Sequence, residues 1–133
     1  MSIQIHIDGG GKSIILTERS LLKSEYYVES NYNTQMKYME ESMDTVVLTG
    51  EIDLHSGGIE TVNISKLAEW TFCASTDENC YRQFSMQLFD SIGVKIQEVN
   101  FEKAFVVRYK DSFYTKKGRA SYEIVIRECK GTH

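Results

Sequence analysis

The glycine-rich stretch IHIDGGGKS, residues 5–13, ends in Gly-Lys-Ser and is the first place where the sequence suggests phosphate chemistry. A P-loop requires a glycine five residues before the glycine that precedes the lysine, and His6 occupies that position. The residues after Ser13 are mostly β-branched, whereas a P-loop continues into a helix whose N–H groups hold the phosphate. The stretch therefore predicts a hairpin with a turn at Asp8-Gly9 rather than a nucleotide site.

Other candidate catalytic groups are few and isolated. Asp53-x-His55, beside a glycine turn, has the start of a metal-binding pattern, but no second ligand pair follows at a suitable spacing. The sequence contains no Gly-x-Ser-x-Gly nucleophile elbow, and it places no histidine to activate Cys73. We therefore predict that the chain is not an enzyme and has no catalytic, cofactor-binding or metal-binding residues.

The three cysteines, Cys73, Cys80 and Cys129, form no Cys-x-x-Cys pair. The odd count, together with the lack of an apolar leader, favours reduced and largely buried thiols. A disulfide between Cys73 and Cys80 is the alternative that remains open.

Length and composition predict one folded domain that spans residues 1–133. Hydrophobic residues make up 41% and charged residues 26%, a balance typical of globular chains. The net charge of −4 argues against nucleic acid as the main partner, because phosphate binding requires a basic surface. No apolar run approaches the roughly 20 residues of a membrane span. Without a signal peptide, we expect a cytoplasmic protein whose export would use a route that reads the folded chain.

Alternating apolar and polar residues predict β-strands along most of the chain. Proline, which would interrupt the strand ladders, is absent. The segment SKLAEWTFCAS, from Ser65, has the apolar spacing of a helix and a serine suited to its N-cap. The sequence therefore predicts a mainly β fold, a small β-barrel or sandwich of about seven to nine antiparallel strands with one flanking α-helix.

Two further predictions concern single elements. Residues 13–16 and 21–28 both alternate, and we expect them to form one long, bent strand. Residues Ile59 to Ile64 are expected to form another short strand.

The segment SNYNTQMKYMEESMD, residues 30–44, is polar and contains asparagines that favour a loop. A connection of this length often contacts another molecule. Its methionines recur at spacings of three and four and could form an adaptable partner surface, with core packing as the alternative. The predicted subunit-contact residues of this loop are Tyr32, Met36, Tyr38, Met39 and Met43.

The stretch VNFEKAFVVRYKDSFYTKKGRASYEIVIRECK, residues 99–130, resembles the tube protein of type VI secretion systems, the haemolysin-coregulated-protein (Hcp) family, in its Bacteroidetes-like form. The helix segment is similar to the family's Leu/Phe-x-Glu-Trp helix, and the opening hairpin is similar to its first two strands. The matching residues are Glu69, Trp70, Phe101, Ala104, Phe105, Val107, Arg108, Tyr109, Lys110, Asp111 and Phe113.

The resemblance implies a β-barrel with a helix against it, and six copies that close into a ring through head-to-tail contacts. Stacked rings would form a hollow tube that a contractile sheath propels, with a spike at the tip and effector proteins inside. Pairing of sheets edge to edge between copies would cover strand edges that are otherwise exposed. Residues 32–43 are then expected to reach the neighbouring subunit or the next ring.

Two other classes of protein are consistent with the residues. A monomeric β-barrel could bind a small ligand or act as an immunity protein against a toxin, and a small hydrolase could use Asp53 and His55. The oligomeric mass distinguishes a tube protein from a monomeric binder, and metal analysis with His55→Ala tests the hydrolase.

Overall fold

A computed structural model of the protein describes residues 2–19, 21–33, 38–55, 59–73 and 80–131. The elements follow the chain in the order β1 (Ser2–Gly9), β2 (Lys12–Thr17), β3 (Lys23–Asn33), β4 (Tyr38–Asp53), α1 (Ile59–Thr71), β5 (Arg82–Phe89), β6 (Lys95–Tyr114) and β7 (Arg119–Gly131). The seven strands described form one antiparallel sheet in the order β2-β1-β5-β6-β7-β4-β3.

Strand β6 joins the two halves of this sheet. Its first part pairs with β5 as far as Ala104, and its second part pairs with β7 from Phe105 onwards. Buried side chains from both halves belong to a single apolar core, so the sheet folds over on itself. The antiparallel strands and the flanking helix confirm the predicted mainly β fold of the barrel or sandwich class.

The predicted alternation of apolar and polar residues along the strands is confirmed, because the apolar residues face the core. In β1, Ile5 and Ile7 are buried, whereas the neighbouring Gln4 and His6 are exposed. Strands β4 and β7 follow the same pattern, because side chains on a strand alternate between the two faces. Among the described residues of the sheet, the fully buried aliphatic side chains are those of Ile5, Ile7, Ile14, Leu16, Val46, Leu48, Ile52, Ala104, Ala120, Ile124 and Ile126.

The first hairpin is confirmed, but its turn lies two residues further along the chain than predicted. Gly9 pairs with Lys12, so the turn consists of Gly10 and Gly11, whose φ angles are 60° and 74°. Two-residue turns that match the twist of a hairpin require positive φ at both positions, which glycine adopts without a steric cost. Asp8 therefore lies within β1 instead of in the turn.

The prediction of one bent strand across residues 13–28 was wrong. Strand β2 ends at Thr17, β3 begins at Lys23, and the two strands lie at opposite edges of the sheet. Alternation determines which side chains of a strand face the core, but it carries no information about which strand lies beside it.

The predicted loop over residues 30–44 was also wrong for the part that the structure describes. Strand β3 continues to Asn33, which pairs with Tyr38, and β4 pairs with β7 from Glu41↔Gly131 onwards. Pairing on both sides of β4 outweighs the weak strand preference of its polar residues. Four of the predicted contact residues therefore lie on strands, namely Tyr32, Tyr38, Met39 and Met43, whereas Met36 lies outside the described residues.

Helix α1 begins six residues before the predicted N-cap. Residues 59–64, predicted as a strand, form its first turns, and Ser65 lies in its interior. A short apolar run does not distinguish a strand from a buried helical segment, so periodicity alone could not decide between them. The buried side chains of the helix are Asn63, Ile64, Leu67 and Trp70.

The expectation of reduced thiols was wrong for two of the three cysteines. Cys73, just after α1, forms a disulfide with Cys80, just before β5, across a Cα–Cα distance of 5.4 Å. The approach of the helix end to the start of β5 brings these residues into bonding range, which the composition does not reveal.

Candidate assembly surface

The residues that carry the family resemblance divide into an inward and an outward group. Trp70 belongs to the inward group, and its indole Nε1–H donates a hydrogen bond of 2.8 Å to the Cys80 carbonyl oxygen. The Arg82 guanidinium lies 5.3 Å from the centroid of the Trp70 ring, in cation–π range. Burial lowers the pKa of Arg82. Trp70 thus ties the end of α1 to the start of β5.

Phe101 and Ala104 complete the inward group on the first part of β6. The Phe101 ring stacks on Phe84 of β5, with centroids 5.3 Å apart, and Ala104 is fully buried. Phe105 is half-buried, and its ring meets Tyr81 edge-on at 6.1 Å. These positions secure the packing of β6 where it passes from one half of the sheet to the other.

Tyr109 lies between the two groups on the second part of β6. Its side chain is partly buried against the core. Burial raises the pKa of the Tyr109 hydroxyl, and the negative charge of Asp111 raises it further. Tyr109 therefore stays neutral over the physiological pH range and acts as a packing residue.

The outward group has exposed side chains. Val107 is 45% exposed and Phe113 is 54% exposed, while Lys110 points to solvent between them in the sequence. Glu69 is exposed on α1 and forms an ion pair with Lys12 at the start of β2. Among the described residues, the outward group therefore presents apolar side chains to solvent.

A second exposed apolar group lies at the connection from β5 to β6. Asp90 closes this turn, because its Oδ1 accepts hydrogen bonds from the backbone N–H groups of Ile92 and Val94. Ile92 is 83% exposed, and Val94 and Ile96 are each about half exposed. The sequence analysis missed this group as a candidate contact, although three β-branched residues beside a tight turn were a visible signal.

A cavity of 390 Å³ lies between β1, β5 and the segment that leads into β3. Its apolar lining residues are Ile3, Leu21, Leu22 and Leu88. Glu18 lies at its rim, where hydrogen bonds from backbone N–H groups, including that of Ile3, lower the pKa of its carboxyl.

The structure gives Asp53 and His55 a local structural role. The Asp53 carboxylate accepts a hydrogen bond of 2.9 Å from the backbone N–H of His55. The His55 imidazole lies against Gly118, where a β-carbon would overlap it. Within the described parts of the chain, no group of three or more His, Cys, Asp and Glu side chains could hold a metal ion.

His6 lies on the outward face of the sheet. It is exposed on β1, directly opposite Ser85 of β5, in an open depression of 230 Å³ that Asp8 also lines. None of the helices described is long and apolar enough to cross a membrane.

Comparison with known proteins places this architecture in a defined structural class. No protein-family model matches the sequence, and no curated protein matches it. Solved structures do match over almost the whole chain, and they include an Hcp1 protein and a chain of a prophage baseplate. The chain therefore has the fold of Hcp-like tube proteins.

Two of these solved structures show how closely the fold of this chain resembles theirs. Hcp1 from Flavobacterium johnsoniae superposes with a TM-score of 0.50 and 13% identity, covering 97% of this chain and 96% of that chain. A chain of the anti-feeding prophage (AFP) baseplate, a cryo-EM structure solved with 6-fold symmetry, superposes with a TM-score of 0.53 and 8% identity. That second match covers 97% of this chain and 92% of the baseplate chain.

Proposed function

We propose that this chain is the structural subunit of a secretion tube. Six copies close into a ring, and the rings stack into the hollow tube of a type VI secretion or related contractile injection system. The observation that carries this proposal is the match in fold, over 97% of the chain, to both Hcp1 and a chain of a six-fold symmetrised baseplate.

The exposed side chains of the described surface support a role in assembly. Large apolar side chains remain accessible in the β5–β6 turn, with Ile92 at 83%, and on β6, with Phe113 at 54%. Grouped apolar side chains on a soluble protein mark sites of association. A ring subunit needs such surfaces on two different sides, because head-to-tail contacts join unlike patches.

The same proposal assigns partners and location. The subunit folds in the cytoplasm, assembles with itself, and is in contact with the sheath, the spike and the effectors carried in the tube lumen. It leaves the cell through the contractile apparatus as folded protein. Its role is structural and requires neither a cofactor nor nucleic acid.

The oligomeric mass of the purified full-length chain tests this function. We expect light scattering after size-exclusion chromatography to give about six times the 15.3-kDa chain mass. Negative-stain electron microscopy of the same fraction should show rings with a central hole. A protein that stays at 15.3 kDa at the highest attainable concentration, without annular particles, contradicts the proposal and points to a monomeric binding protein.

A further inference from the structure

Helix α1 lies along the outer edge of β2 and contacts it through three side chains. The Asn63 amide Nδ2 donates a hydrogen bond of 2.7 Å to the Ile15 carbonyl oxygen. The Lys66 ammonium Nζ donates one of 3.1 Å to the Ser13 carbonyl oxygen. Glu69 forms an ion pair with Lys12.

The spacing of these contacts shows that they form one aligned set. Asn63, Lys66 and Glu69 recur every third residue, so they lie along one stripe of the helix. Their acceptors and partner descend along β2 from Ile15 to Ser13 to Lys12, so the helix runs antiparallel to the strand edge.

The carbonyls that the helix occupies are those that a further strand would use. Strand β1 pairs with one side of β2, and β2 lies at the end of the sheet order. Along an edge strand, every second residue directs its backbone N–H and C=O groups away from the neighbouring strand. On β2, Ser13 and Ile15 are two of these residues. An open edge of this kind is a template for pairing with another chain.

We propose that Asn63 and Lys66 close the β2 edge, so that no second copy of this chain can extend the sheet from β2. The two side chains occupy outward carbonyls that the partner strand would need. Asn63 is buried, with 3% of its surface exposed, so its amide is held in place by packing. Glu69 anchors the same stripe through Lys12.

The closed edge does not depend on the proposed function, but it restricts how a ring of that kind can form. A head-to-tail ring built by joining the β2 edge of one copy to a strand of the next is excluded, because α1 already occupies that edge. The contact between copies must use side chains or a different sheet edge. The helix then acts as a specificity element that prevents irregular growth of the sheet.

The test is a double variant, Asn63→Ala with Lys66→Ala, in the full-length chain. Loss of both donors frees two outward carbonyls, and we expect the mass fraction of large, thioflavin-binding aggregates to rise about tenfold over the parent protein. Ser65→Ala is the matched control, because Ser65 lies on the same helix and is exposed. It should behave as the parent protein does.

A second pair of variants keeps the test decisive where the double variant fails to fold by circular dichroism. Lys66→Glu places an acceptor against the Ser13 carbonyl, whereas Lys66→Gln retains an N–H donor. We expect aggregation with Lys66→Glu and much less with Lys66→Gln. Equal aggregation of the two variants, or none in either, overturns the proposal.

A proline at Ile15 separates edge pairing from general loss of stability. Proline removes the outward N–H of an edge strand and is tolerated there. Added to the double variant, Ile15→Pro should return aggregation to near the parent value; aggregation that persists shows that β2 is not the growing edge.

These outcomes are independent of the tube function. A monomeric parent protein whose double variant aggregates removes the tube proposal and keeps the closed edge. If the parent protein forms rings and the folded double variant forms only the same rings, the tube proposal is kept and the closed edge is removed.

Discussion

At the scale of single residues, the positions that resemble the tube family have two separate tasks. Trp70, Phe101 and Ala104 are buried and join α1, β5 and β6. Val107 and Phe113 are exposed on β6 and stabilise little within the isolated chain. The sequence pattern contains both buried packing residues and exposed surface residues. Each residue therefore needs its own test.

Trp70→Phe should destabilise the fold. The variant keeps an aromatic ring but removes the donor of the buried 2.8 Å hydrogen bond to the Cys80 carbonyl, and it weakens the contact with Arg82. We expect the free energy of unfolding in urea to fall by about 1–3 kcal/mol, the cost of a buried polar group that loses its partner.

Phe72→Leu is the control for this change, because Phe72 is 84% exposed immediately after the same helix. Its effect should stay within about 0.5 kcal/mol, as for surface substitutions in general. Equal losses from the two variants would show that Trp70 has no special role.

At the scale of elements, pairing between neighbours decided what local preference left open. The polar residues of β3 and β4 form strands, because β4 is paired on both of its sides, by β3 and by β7. Helix α1 covers the edge of β2, and the Cys73–Cys80 disulfide ties the end of that helix to the start of β5.

Reduction of the disulfide should lower stability without changing the fold. Cross-linking residues seven apart restricts the unfolded chain, and a loop this short corresponds to about 2–3 kcal/mol in the chain-entropy model. We expect the free energy of unfolding of the reduced protein to be lower by that amount, with an unchanged far-UV circular dichroism spectrum.

The same reductant applied to a Cys73→Ser/Cys80→Ser variant is the control, and it should have no effect. If the parent protein has the same unfolding curve with and without reductant, the bridge does not contribute to stability.

At the scale of the whole molecule, the sheet folds over one core while the β3–β4 hairpin extends along one margin of the sheet. The hairpin pairs from Lys23↔Thr49 out to Asn33↔Tyr38. Its outer part contains four of the residues expected to contact a neighbouring subunit, and that expectation remains a prediction.

Shortening this hairpin should separate folding from assembly. Deletion of residues 33–41 with Tyr32→Gly leaves the pair Ser30↔Ser42 joined by an Asn-Gly turn, the connection that a two-residue hairpin prefers. We expect the shortened chain to fold with the parent circular dichroism spectrum but to lose the ring or the stacking of rings, observed by light scattering and negative-stain microscopy.

The full-length chain with Tyr32→Gly alone separates the loss of the Tyr32 side chain from the loss of the deleted segment, and it should assemble more completely than the shortened chain. Hexamers that form and stack unchanged after the deletion would show that the hairpin is not a contact between subunits.

The sequence by itself determined the class of fold and the inward face of its strands. Alternation of apolar residues, as at Ile5 and Ile7, requires those side chains to be buried wherever the strand lies. The family resemblance rested on residues such as Trp70 and Phe101, which proved to be packing residues.

Only the tertiary structure decided which strands are neighbours, where α1 begins and which cysteines are joined. These features depend on contacts between residues far apart in the chain, such as Asn63 with Ile15 and Glu41 with Gly131. Local sequence patterns do not predict such contacts, because the free energy that selects them comes from side-chain burial and strand pairing in the complete fold.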